Sequence, residues 1–244
     1  MELELVSAAA RPDLKAEAAT AFRGRWPEFI FHVPISPQYM GRVGEYFGHY
    51  DIWFLDDGRV AAGGWGVAIA WDGTPEGLPE GYDAALVASI ETREAAQVPN
   101  TFSVMGAVVA IGYEKQGLSR RVLEALVERA AGAGLSRVVA PVRPTWKQKY
   151  PQVSMSEYAT WTGDDGLSID PWIRTHQRMG ATIIRPAPNS LVIPGTVAQW
   201  EVWAHMPFPI SGAYVVPGAL NLVEVDREAD RVVYREENLW MRHR

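Results

Sequence analysis

The stretch Val109-Ala110-Ile111-Gly112-Tyr113-Glu114-Lys115-Gln116-Gly117-Leu118-Ser119-Arg120 joins two segments of different periodicity. Ahead of it, Thr101 to Ile111 (TFSVMGAVVAI) is a run of β-branched and apolar residues, the pattern of a buried strand. Behind it, Leu118, Val122, Leu126 and Ala130 recur every four residues with Leu123 and Val127 beside them. Arg120, Arg121, Glu124, Glu128 and Arg129 take the other side. That pattern predicts an amphipathic helix over Leu118–Ala131, ended by Gly132 and Gly134. Leu135 to Val142 returns as a strand. Strand, glycine-containing turn, helix and strand form a βαβ unit, which implies parallel neighbours. A helix N-terminus approached closely because Gly117 lacks a Cβ is an anion site suited to a pyrophosphate. The spacing fits neither the phosphate loop GxxxxGK(S/T) nor GxGxxG with an acidic residue about 20 positions on.

Outward from this unit the chain alternates short elements. Glu2–Val6 reads as a strand and Ala10–Arg23 as a helix between Pro12 and Gly24. Ser36 as N-cap, Pro37 at the first position and Gly48 past the end mark a second helix, with Tyr39, Val43, Tyr46 and Phe47 on one face. Asp57-Gly58 between the apolar runs Asp51–Leu55 and Val60–Trp71 predicts a β-hairpin. A Gly/Pro-rich loop spans Asp72–Gly81, and Tyr82–Arg93 fits helix and strand equally. Pro144–Asp170 is an irregular insert. Asp170 as N-cap, Pro171 at the first position and Gly180 past the end bound a further helix. Ala181–Ile184 and Leu191–Ile193 read as strands around a Pro-rich bend. The organisation expected is a core over residues 1–195, with an insert at 144–170, and a C-terminal β-rich extension over 196–244 packed on the same domain.

Composition narrows the classes. The 244 residues are 48% hydrophobic and 21% charged, which argues for a globular chain and against disorder. With 23 Lys+Arg against 29 Asp+Glu, the formal charge of −6 gives no electrostatic reason to expect nucleic acid or an anionic membrane as partner. No cysteine is present, so disulfides, thiol nucleophiles and cysteine-ligated zinc are excluded. His32, His49, His176, His205 and His243 lack metal-site spacing, and no metal is expected. MELELV lacks the features of a signal peptide and no apolar run reaches the roughly 18 residues of a membrane span. The expectation is a soluble, cytoplasmic protein. Ten Trp residues supply either an aromatic core or a pocket walled by rigid rings.

The junction at 109–120 resembles that of the Gcn5-related N-acetyltransferase (GNAT) superfamily. That family's signature is Arg/Gln-x-x-Gly-x-Gly/Ala after a splayed strand end. Here Glu114 stands in the first position, Gly117 in the second and Ser119 in the third. Two of the three depart from the pattern, but the family holds pyrophosphate with main-chain amides rather than with these side chains. The element order from Glu2 to about Ile193 follows the family as well. The resemblance implies an α/β (α+β) fold with a mixed, mostly antiparallel central sheet, splayed at the cofactor slot and flanked by helices. It implies acetyl-coenzyme A or another acyl-coenzyme A as co-substrate, and a small-molecule amine as acceptor, on a monomer or homodimer. Val109, Ala110, Ile111, Lys115, Gln116, Gly117, Leu118, Ser119 and Arg120 fall on its coenzyme-binding positions. The family's last helix ends Tyr-x-x-x-Gly, with the Tyr protonating the departing thiolate. His176-Gln-Arg-Met-Gly180 puts His176 there, and imidazole can donate a proton near neutrality. Tyr158 is the next candidate.

An amine must lose a proton to attack a thioester, so a carboxylate or water chain should line the acceptor side. Asp83, Glu91 and Glu157 lie in segments expected there, and Arg143, Lys147 and Lys149 suit an acceptor carboxylate or a coenzyme phosphate. With no Cys and no G-x-S-x-G elbow, the expected mechanism is direct attack in a ternary complex. A non-catalytic coenzyme- or partner-binding module, and a coenzyme-A-dependent hydrolase or decarboxylase, are the alternative readings of the same residues.

Overall fold

The structure is a computed structural model that describes residues 3–244, and the backbone alone of residues 36–38. In chain order the elements are β1 (Glu4–Ser7), α1 (Lys15–Ala21), α2 (Ser36–Phe47), β2 (Ile52–Asp56), β3 (Arg59–Ile69) and α3 (Tyr82–Glu94). They continue with β4 (Thr101–Val109), α4 (Leu118–Gly132), β5 (Arg137–Val142), α5 (Met155–Tyr158), α6 (Pro171–Arg178) and β6 (Thr182–Gly195). The last are α7 (Val197–Ala204), β7 (Gly212–Tyr214), β8 (Val223–Asp226) and β9 (Arg231–Arg242). The first strand begins at Glu4, and its expected start at Glu2 lies outside the described residues, as does the Ser36 side chain. The helix expected over Ala10–Arg23 opens as a 3-10 turn at Pro12–Leu14 before α1.

Local chemistry explains the elements that read cleanly. Asp57 (φ +48°) and Gly58 (φ +78°) form the doubly left-handed turn that matches strand twist, and β2 pairs antiparallel with β3 across it. Asp170 caps α6 by accepting the Trp172 and Ile173 amides, with Pro171 in the first turn. The two strands expected around the Pro-rich bend are one, β6. It pairs with β9 alone, so Pro186 and Pro188 lose few ladder bonds, and register shifts after Ile183 and Ala187 absorb them.

Among the described residues nine strands make one mixed sheet in the order β1-β2-β3-β4-β5-β9-β8-β7, with β6 along the other edge of β9. Every pairing is antiparallel except β4 with β5. That parallel ladder holds only Thr101–Ser103 against Arg137–Val139. Beyond it β4 continues six residues beside β3, while β5 continues beside β9 on its other edge. The two strands therefore part, leaving a closed end near Thr101 and Arg137 and an open end at Val109 and Val142. Within β4, Trp65↔Gly106 is followed by Gly66↔Val104, so Met105 is a bulge at the start of the parting.

Helices cover both faces. A Cβ on Gly63 would approach Phe22, just past α1, to 3.0 Å, and one on Gly64 would approach Val122 of α4 to 2.5 Å. These adjacent glycines therefore let the two layers close on β3 from opposite sides. The segment 196–244, expected as a β-rich extension packed on the same domain, contributes β9, which pairs with β5, β6 and β8. Its Thr196-x-x-Gln199 forms a complete capping box on α7, a local signal the strand reading passed over. Trp200 of α7 stacks on Phe29 at 5.4 Å and both are buried against Tyr234 of β9.

Val232, Tyr234, Leu239, Trp240 and Met241 of β9 are fully buried. At about 2 kcal/mol each, they match the net stability of a whole domain. Residues 1–195 expressed alone are expected to show no cooperative thermal transition by circular dichroism, whereas the full chain does.

Candidate active site

At the open end the chain leaves β4 through Ala110, whose amide bonds the Ala61 carbonyl at 2.9 Å, and then turns away from the sheet. Gly112 (φ +94°) and Lys115 (φ +61°) shape the turn. Gly117 is the N-cap of α4 at φ +74°, with no side-chain cap on the helix. The first-turn amides thus face outward with the positive end of the helix dipole behind them, as an anion site requires. Leu118 is buried in the core and anchors the turn, while Ile111, Lys115, Gln116 and Arg120 are exposed and Ser119 is half-buried. Arg120 is shared with Glu124 at 2.7 Å. Glu114 turns aside, pairing with Arg25 and accepting the Gly112 amide, each at 2.8 Å. Amide hydrogen bonds first, and Arg25 after them, hold it below the usual carboxylate range. A negative residue is thereby accommodated in the motif.

Opposite this loop, a polar cluster converges from elements remote in sequence. The Tyr82 amide at the start of α3 donates to Ser190 Oγ of β6 at 2.8 Å, and that hydroxyl donates to Asn238 Oδ1 of β9 at 2.5 Å. Gly81 permits the contact, since a Cβ there would meet Ser190 Cα at 2.2 Å. Asn238 Nδ2 donates to Glu236 Oε1 at 3.1 Å. Arg143, just past β5, holds both Glu236 oxygens at 2.9 and 3.0 Å, and the Tyr234 hydroxyl donates to Oε2 at 2.9 Å. Glu236 is fully buried and fully partnered. Trp65, opposite Gly106 at the bulge, packs edge-on to Tyr82 at 6.3 Å.

Asp83 stands next to Tyr82 in the first turn of α3. Burial pushes its carboxyl up to about 7, with the Val192 amide working against this and the Glu236 charge adding to it. Its Oδ1 is buried with no hydrogen-bond partner among the described residues. Of the three carboxylates expected on the acceptor side, this one alone has a buried oxygen without a partner among the described residues. Glu91 is exposed near the C-terminus of α3, beside Thr92, whose hydroxyl meets the Ala70 amide just past β3. That is the closed end, so Glu91 is displaced from the slot by most of the length of a helix. Glu157 is exposed on α5.

The two proton donors expected from sequence both lie in buried hydrogen-bonded pairs. His176 occupies the anticipated helical position but is buried, with Nδ1 2.8 Å from His243 Nε2. His243 bonds the Val138 carbonyl, four residues and about 13 Å short of the open end of β5. Burial, and then His243, push His176 down to about 3, and burial pushes His243 down to about 4. At neutral pH His176 is therefore an uncharged imidazole, a far weaker acid than imidazolium. Tyr158 is buried in the insert and donates to Asp170 at 2.9 Å. Burial, followed by Asp170, drives its hydroxyl well above the usual phenol range. Asp170 also receives the Thr145 and Trp146 amides, so this constellation ties the insert to α6. Lys147 is buried and donates to the Leu220 and Tyr150 carbonyls, while Lys149 lies over the Trp146 ring at 4.2 Å. Nothing local in the sequence marks Tyr82, Ser190, Glu236 and Asn238, because only the sheet order brings residues 82, 190 and 236 together. Among the described residues no three His, Asp or Glu side chains gather as a metal centre requires, and no helix is long and apolar enough to cross a membrane.

A mixed sheet parted between its two parallel strands, with a helix N-terminus at the parting, defines the acyltransferase architecture of the GNAT type. No protein-family model matches the chain. It is 30% identical over 272 residues to the arginine N-acetyltransferase avaD of Aspergillus versicolor, covering 98% of this chain and 93% of that protein. The loading GNATL domain of CurA from Lyngbya majuscula aligns with a TM-score of 0.58 at 17% identity, over 78% of this chain and 89% of that one. The GphF GNAT-like decarboxylase in complex with isobutyryl-CoA gives 0.51 at 15% identity over the whole of both chains. The chain belongs to the Gcn5-related N-acetyltransferase superfamily. It is an N-acyltransferase that acts on an amine.

The histidine pair has a measurable signature. Unfolded imidazoles titrate near 6.5, so below that pH the unfolded chain takes up protons that folded His176 and His243 refuse. Their contribution is complete above pH 6.5 and is lost as pH falls toward 4. Asp83 acts in the opposite sense, so the difference between two proteins is the clean readout. Between pH 7.5 and 5, Tm should fall less for His176→Phe than for the unsubstituted protein.

Proposed function

We propose that the protein transfers an acetyl group from acetyl-coenzyme A to a nitrogen of a small cationic acceptor of the arginine class, by direct attack in a ternary complex. The observation that carries this reading is the coincidence, at one end of the sheet, of an uncapped helix N-terminus, a strand edge without a partner strand, and buried carboxylates across the gap. In this reading the amides of Gln116 to Arg120 hold the pyrophosphate, with Lys115 and Arg120 beside them to meet phosphate charge. The free edge of β4 leading to Val109, Ala110 and Ile111 offers backbone N–H and C=O groups to the amides of the pantetheine arm. Acidic and aromatic groups on the far side suit an acceptor that is positively charged. The relative avaD is named for arginine, which supports that class.

Coenzyme A binding by calorimetry, followed by thiol release with arginine, agmatine and uncharged primary amines, tests the assignment. Amine-dependent release favouring the guanidine-bearing acceptors is expected. Release without an acceptor, or binding without release, would overturn it.

A paired substitution checks the loop. Gly117 (φ +74°) and Gly134 (φ +77°) sit at opposite ends of α4, both left-handed and both with open space around the missing Cβ. Alanine at either costs about 1 kcal/mol of backbone strain, or a few degrees in Tm. Gly117→Ala should additionally weaken coenzyme A binding at least tenfold, while Gly134→Ala leaves it unchanged. Equal affinities in calorimetry would exclude the loop.

A further inference from the structure

We propose that Asp83 is the catalytic base, the carboxylate that receives the proton of the acceptor nitrogen before it attacks the thioester. The inference rests on the transferase reading above and adds to it a residue that lies outside the family motif. Three observations place it. Asp83 stands in the first turn of α3, whose start is fixed to β6 by Tyr82 N–H to Ser190 and to β3 by the Tyr82–Trp65 contact. Trp65 pairs with Gly106 beside the β4 bulge, so this turn overhangs the point where β4 leaves β5. The neighbouring Glu236 has every oxygen committed, to Arg143, Tyr234 and Asn238, whereas Asp83 Oδ1 is buried without a partner. A buried carboxylate oxygen left unpaired is costly, and a protonated acceptor nitrogen supplies both the hydrogen bond and the charge it lacks.

The groups that bear on Asp83 are Glu236 from β9, itself held by Arg143 from the end of β5, the buried Tyr82 hydroxyl on α3, and the Val192 amide from β6. Burial and Glu236 raise its affinity for a proton, so it is a competent acceptor near neutral pH rather than a spectator. The step balances simply. One proton of R–NH3+ passes to the Asp83 carboxylate, and the freed lone pair forms the N–C bond at the thioester carbon. The C–S bond breaks, and the second proton lost by nitrogen ends on the coenzyme A thiolate. Asp83 returns its proton to solvent as product leaves.

The experiment compares Asp83→Asn and Asp83→Glu with the unsubstituted protein, using acetyl-coenzyme A and the best acceptor from the thiol-release series. Asp83→Asn should lose about a hundredfold or more in kcat. Its coenzyme A affinity should be unchanged and its Tm unchanged or higher. The acidic limb near pH 7 should vanish from its kcat/KM profile, and its rate should climb about tenfold per pH unit as the acceptor deprotonates in solution. Asp83→Glu should recover part of the rate. An Asp83→Asn protein that turns over within threefold of normal with its limb intact would overturn the base. So would a loss confined to KM, which would make Asp83 a binding group only. If the unsubstituted protein binds coenzyme A and releases thiol with no amine, the transferase reading fails first and takes the base with it.

Discussion

Two parallel strands that pair for only three residues set the terms for everything else in this molecule. Backbone groups freed when β4 and β5 separate cannot stay both buried and unpaired. β5 is held in the sheet by β9 on its far edge, through Val139–Val142 against Leu239–Arg242, which leaves the edge that faced β4 open toward the parting. β4 keeps β3 on one side, while no strand among the described residues pairs with its other side beyond Ser103. The bulge at Met105 stands near the start of that unpaired stretch, and residues 106–109 are half-exposed. The slot is therefore a consequence of strand divergence, and its chemistry is backbone chemistry. In the proposed reading Glu114 and Ser119 can stand in the usual motif positions, since the amides remain where they are whichever side chains stand beside them.

The sheet also segregates the two ends. Its N-terminal strand ends near Thr101 and Arg137 are sealed by the β9 terminus and by the buried histidine pair. The other end collects the helix N-terminus of α4, the first turn of α3, and the stretch of β9 that lies past β5. Alternation along β9 then sorts partners between faces. Glu236 and Asn238 point to the α3 side, whereas Glu237 accepts the Met155 amide of the insert. The insert is fastened there by Asp170 and by Lys147, so it is a fixed part of the open end rather than a loose connector.

What could be read from the sequence was what local chemistry determines. Asp57-Gly58 specifies its turn, the four-residue repeat from Leu118 specifies α4, and Asp170-Pro171 opens α6 wherever the rest of the chain goes. Tyr82–Arg93 read ambiguously because apolar residues point several ways, and the helix packs against α2, β3 and β6 at once. The role of β9 was hidden for a different reason. Its short buried and exposed runs look like those of an edge hairpin, and only the vacancy left by β5 makes it central. The site divides the same way: the 109–120 loop is contiguous and legible, while the Tyr82–Ser190–Asn238–Glu236 chain is assembled by sheet order alone.

Position on a helix and chemistry at a site are separate questions, as His176 and Asp83 illustrate together. His176 lies four residues before Gly180, on the anticipated turn, and imidazole's ordinary affinity for protons suits a donor at neutral pH. Burial reverses that choice. Desolvation disfavours whichever form is charged, so it drives a histidine down and a carboxylate up. His176 descends to about 3 while Asp83 rises to about 7. The residue type that suggests acid–base work in isolation is thus frozen neutral, and the type that is ordinarily an inert anion is the one that titrates near neutrality. Since burial is a property of the assembled sheet, neither shift could have been read from either residue's neighbours in the chain.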